Sequence, residues 1–141
     1  MTAKLVSRRQ RIVRVREVQH ATAVAETVRA RDEADSIASN ARRIARVRSD
    51  LFKTGPQMGG IFSACRELAD RLERAGKQLE GALYDANKVI DEKQGIQVVA
   101  NREKEIAQRL KDRAHERLEE QREARLAAIP RYRMMQSRGS E

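Results

Sequence analysis

The sequence predicts an all-α fold: two long helices forming an antiparallel coiled-coil hairpin with a C-terminal helical overhang. Three observations predict it. Charged residues make up 36% of the chain and aromatics only 3%, with no Trp and two Pro, a composition suited to long helices rather than to a thick globular core. One Gly/Pro cluster interrupts the chain before its midpoint. Beyond that cluster an apolar seam runs in alternating steps of four and three residues.

The first helix is expected over about residues 4–52. Ala30, Ala34, Ile37, Ala41, Ile44 and Leu51 keep heptad spacing, with Arg48 as a polar exception. Val18, Ala21, Ala25 and Val28 form a second apolar run, out of phase with the first. That phase difference implies a stutter near Val28 to Ala30.

The turn is expected over 53–60, Lys53-Thr54-Gly55-Pro56-Gln57-Met58-Gly59-Gly60. Gly permits positive φ, and Pro lacks an amide donor and restricts the residue before it. The cluster has no Gly-Lys-Ser/Thr ending and no strand before it, so it is a hairpin turn and not a phosphate-binding loop. Met58, Ile61 and Phe62 would form an apolar tip, as a local staple or as a contact site.

The second helix is expected over about 61–129. Its seam reads Ile61, Cys65, Leu68, Leu72, Ala75, Leu79, Ala82, Ala86, Val89, Lys93, Ile96, Ala100, Glu103, Ala107, Leu110, Ala114, Arg117, Gln121, Ala124 and Ala128. Sixteen of these twenty are apolar, a run long enough to imply supercoiling with a partner helix. Many are Ala, which buries little area, so the coiled coil should be ordered but only modestly stable. Pro130 stops the helix and a tail follows over 130–141.

Folding back about the turn places residue 52 near 61 and residue 5 near 108. The second helix then overhangs from about Leu110 to Ile129. Leu110, Leu118, Leu126 and Ile129 lie there without an intramolecular partner, beside the basic cluster Arg8, Arg9, Arg11, Arg14 and Arg16. Apolar positions among clustered Arg have the make-up of a protein-docking surface, and these nine residues are the candidate partner-binding site.

Other chemistry finds little footing. The net charge of +9 raises nucleic acid, anionic lipid and acidic proteins as partners. The Arg cluster has no aromatic for base stacking and no nucleic-acid module around it, which argues for protein over nucleic acid. Cys65 lies on the seam as a small hydrophobe, and a single Cys fits a reducing compartment. His20 and His115 lie far from each other and from Cys65, so no metal site and no activated thiolate are expected. No cofactor is implied, and a two-helix hairpin offers no pocket for an enzyme. No apolar run reaches the length of a membrane span, and Glu17 and Glu26 interrupt any transit-peptide pattern.

The hairpin resembles the FliJ family of flagellar export proteins and the related YscO family of type III secretion. The likeness lies in chain length, a basic first helix, a mid-chain turn and a longer second helix with a charged end. Met58-Gly59-Gly60-Ile61 followed by Leu68, Leu72 and Leu79 resembles the family's turn and second-helix start. Leu83-Tyr84-Asp85 through Arg102-Glu103-Lys104-Glu105 and Arg109-Leu110-Lys111-Asp112-Arg113 resembles its later portion. The resemblance implies a non-enzymatic cytoplasmic component of a protein export apparatus, reaching the inner membrane only through its partners. Those partners would be the export ATPase ring, the export gate and export chaperones. The alternatives are a generic coiled-coil scaffold and a basic nucleic-acid-associated helical protein.

Overall fold

Helix-favouring Ala, Arg, Glu and Leu dominate the chain, and no Pro falls between residues 2 and 50 or between 59 and 127. Both stretches are continuous helices. The computed structural model describes residues 2–53 and 59–130, with α1 over Thr2–Asp50 and α2 over Gly59–Ala127. Each is within two residues of its expected bounds. Thr54–Met58 of the expected turn and the tail from Arg131 lie outside the described residues.

Arg48 and Arg125 occupy the last turns of α1 and α2, where a cation offsets the negative end of the helix dipole. Past Asp50 the chain tightens: the Lys53 amide donates to the Asp50 carbonyl at 3.3 Å. At the end of α2 the Ala128 amide donates to Ala124 at 3.0 Å and the Ile129 amide to Leu126 at 3.2 Å. This is the closing turn expected before a Pro that cannot continue the ladder. At Gly76, Gly81 and Gly95 an added Cβ would meet nothing within 4 Å. These glycines serve no close approach, and each weakens α2 by roughly 1 kcal/mol relative to Ala.

The helices pack against each other as an antiparallel hairpin, and no strand occurs among the described residues. They divide into two compact units: Ala21–Val99 is one, and α1 up to His20 with α2 from Ala100 is the other.

In the unit Ala21–Val99, the buried positions of α1 are Ala23, Thr27, Ala30 and Ala34. Ile37, Ala41, Ile44 and Leu51 continue the row half-buried. The facing row of α2 is buried Ala69, then half-buried Leu72, Gly76, Leu79, Leu83, Ala86, Ile90, Lys93 and Gln97. Both rows alternate steps of three and four, the signature of knobs-into-holes packing. Two charge pairs set the antiparallel register: Lys93 Nζ to Glu26 Oε2 at 3.0 Å, and Arg48 Nη2 to Glu73 Oε2 at 3.5 Å. Each is partly exposed and contributes about 0–1 kcal/mol, enough to choose a register but not to hold the fold.

Thr27 is the most buried side chain, at 2% exposure. Its hydroxyl donates to the Ala23 carbonyl at 2.9 Å, which satisfies a buried polar group within its own helix. The rest of the buried set is small, mostly Ala, so the helices approach closely while burying little apolar area per turn.

Three expectations need correction. The run Val18, Ala21, Ala25 and Val28 faces outward, with Val18 and Val28 exposed. The row of α1 passes instead through Ala23 and Thr27 without a phase change, so there is no stutter. On α2 most seam positions from Cys65 to Ala114 are covered as expected, Ala75, Ala82, Glu103 and Leu110 included, whereas Ile61, Gln121, Ala124 and Ala128 are exposed and four further positions give way to the next residue. Leu68, Val89, Ile96 and Arg117 are exposed, while their neighbours Ala69, Ile90, Gln97 and Leu118 are covered. The register also shifts by about one heptad. Residue 26 meets 93 and residue 48 meets 73, so α2 runs several residues past the turn before it is paired.

Candidate functional site

The candidate residues all belong to the unit formed by α1 up to His20 and α2 from Ala100. Its core is Val13, Ala107 and Ala114. Around them the seam is basic: Arg9, Arg16 and His20 on α1, and Lys104 and Lys111 on α2, are all half-buried at seam positions. Long Arg and Lys stems can cover apolar surface while their charged heads reach water.

Two contacts fix the register here. Arg16 Nη1 lies 2.6 Å from Glu103 Oε2 and also donates to Gln19 Oε1 at 3.0 Å. The Thr2 hydroxyl donates to Gln121 Oε1 at 2.6 Å. Helix α1 therefore covers α2 as far as Gln121, and the overhang from Leu110 is corrected to the last helical residues, Arg122 to Ala127, with Ala128 to Pro130 beyond. Leu110 and Leu118 are half-buried within the seam and do not project from a free helix. Leu110 lines a groove of about 290 Å³ with Arg9, Ile12, Arg16, Glu103, Ile106 and Ala107. Leu126 and Ile129 are bare, at 67% and 55% exposure.

The five arginines divide by role. Arg16 is held by Glu103, and Arg9 packs on the seam. Arg8, Arg11 and Arg14 are exposed and enter no ion pair among the described residues. The first twenty residues hold six basic side chains (Lys4 and the five arginines) against one acidic, Glu17. Most of the chain's positive surplus therefore lies on this part of α1.

Sequence reasoning missed one surface and named part of another. Ile12 and Val15 form the floor of a shallow groove beside Arg8, Arg11, Arg16 and Gln19. The spacing of residues 8, 12, 15 and 19 gives that stripe, one position off the seam. Near the turn, Phe52, Ile61, Phe62 and Leu68 are exposed. Ile61 and Phe62 belong to the apolar tip expected from the sequence, and its third member, Met58, lies outside the described residues.

Among the described residues, no three His, Cys, Asp or Glu come together in a way that could hold a metal ion. Cys65 is half-buried in the unit Ala21–Val99, and both histidines belong to the other unit. No described helix is long and apolar enough to cross a membrane. No family model, curated protein or solved structure matches the chain.

Proposed function

We propose that the chain is a non-enzymatic coiled-coil component of a flagellar or type III protein export apparatus, cytoplasmic and peripheral to the inner-membrane export gate. It binds the export ATPase ring and the gate, and it hands over export chaperones. The reading draws on the resemblance to the FliJ and YscO families. The observation that carries it is where the apolar surface goes. The seam uses its apolar rows against the partner helix, and the helical end past Gln121 keeps Leu126 and Ile129 bare, while Arg8, Arg11 and Arg14 stand unpaired further along α1 in the same unit.

Bare apolar anchors supply contact area, and the unpaired Arg of the same unit steer an acidic partner toward it. A second docking site for the same function is supported by the exposed Phe52, Ile61, Phe62 and Leu68 near the turn. Size-exclusion chromatography of the chain with the export ATPase of the same organism tests the proposal. The expected result is a saturable complex that persists in moderate salt. Failure of the assembled ATPase to bind, with the chain folded and helical, would remove the export reading and leave a coiled-coil scaffold.

A further inference from the structure

We infer that the Arg8–Gln19 face of α1 is a binding groove for an acidic amphipathic helix of a partner protein. The inference does not depend on the export reading, and its surface does not include Leu126 or Ile129.

The groove measures about 600 Å³ and is lined by Arg8, Arg11, Ile12, Val15, Arg16 and Gln19. Its floor is apolar: Ile12 is half-buried, and Val15 is 55% exposed although it stands beside the seam. Arg8 and Arg11 form its basic rim, and neither enters an ion pair among the described residues. Arg16 is already held by Glu103 and Gln19, so it shapes the wall and leaves the free charge to the other two.

Charge complementarity selects the occupant. An apolar strip headed by the unpaired Arg8 and flanked by the unpaired Arg11 matches a helix with apolar residues at every third or fourth position and carboxylates beside them. Guanidinium binds carboxylate in a paired, planar fashion, which gives orientation as well as attraction. A lipid surface fits less well, because an interfacial helix buries a broad apolar face along its length, and this strip offers only Ile12 and Val15. Nucleic acid fits less well too, because no aromatic side chain lies within the groove to stack on a base.

The test uses the full chain and a fluorescent synthetic peptide with Leu at helical spacing and Glu elsewhere, read by anisotropy. Saturable binding is expected, with no binding of the same peptide carrying Lys for Glu. Arg8→Glu with Arg11→Glu should weaken binding about tenfold or more. Val15→Asn should weaken it by roughly fivefold, as expected for losing one partly buried Val. All three positions are on the surface, so circular dichroism should be unchanged. The control pair Arg42→Glu with Arg46→Glu reverses two exposed charges elsewhere on α1 and should have little effect. Equal weakening by the control pair, or none from Val15→Asn, would reduce the binding to general electrostatics and overturn the proposal. So would a preference at the same salt for phosphatidylglycerol vesicles or for a single-stranded oligonucleotide over the peptide.

Discussion

Ala34→Asp should destabilise the hairpin by roughly 2–4 kcal/mol, because it places a carboxylate at a position closed to water with no cation provided for it. Ala34 is 5% exposed and sits in the apolar part of the seam, among Ala30 and Ile37 of its own helix and the Ala86 to Ile90 stretch of α2. Val28→Asp changes a larger apolar residue to the same charge, yet Val28 is 47% exposed. It should shift stability by only about 0.5 kcal/mol. The adjacent pair on α2 behaves likewise: Ile90→Asp should cost far more than Val89→Asp, since Ile90 is covered and Val89 is 40% exposed. Urea unfolding followed by helical circular dichroism measures all four. Equal costs at positions 28 and 34 would mean that α1 uses its other face.

If the proposed export function holds, removing residues from Arg122 onward should abolish binding to the export ATPase while leaving the seam intact. The cut spares Gln121 and its bond with Thr2, so α1 keeps its full length of partner. It removes Leu126 and Ile129, the bare apolar side chains at that end. Leu126→Asp and Ile129→Asp provide the finer version, and each should weaken binding by about tenfold or more if these residues are the anchors. Both side chains are more than half exposed, so neither change should unfold the chain. Undiminished binding by the truncated chain, together with its loss on Phe62→Asp, would move the docking site to the turn.

The helices and their antiparallel pairing were legible in the sequence because heptad spacing and an isolated Gly/Pro cluster are strong local signals. The face of each helix was harder to read. On α2 two neighbouring rows both carry apolar residues: Leu68 beside Ala69, Ala82 beside Leu83, Val89 beside Ile90. Spacing alone does not say which of these rows meets the partner. On α1 the seam positions before Ala23 include Arg9, Arg16 and His20, whose polar names hide their role, while Val18, Ala21, Ala25 and Val28 mimic a seam on the outer face.

The register error has a different cause. A shift of about one heptad keeps apolar rows opposed, so hydrophobicity does not resolve it. Charge does. In the observed register Arg16 meets Glu103 and Glu26 meets Lys93; in the shifted one they would face Gln97 and Asn87. Of the candidate residues, the exposure of Arg8, Arg11, Arg14, Leu126 and Ile129 was legible, while Arg9 and Arg16 turn to the seam. Leu110 and Leu118 were misplaced by the register, and the Ile12 and Val15 floor was missed because both sit next to seam positions.

The register decides which surfaces are left for partners, and a crosslink tests it directly. In a Cys65→Ser background, Arg16→Cys with Glu103→Cys replaces the two ends of the 2.6 Å ion pair. Arg16→Cys with Gln97→Cys represents the shifted register. Treated with a short thiol-to-thiol crosslinker at low protein concentration, the 16/103 pair should be bridged within one chain and the 16/97 pair should not. Efficient bridging of 16/97 with 16/103 left unbridged would contradict the account, because α1 would then stop short of Gln121 and leave Leu118 bare.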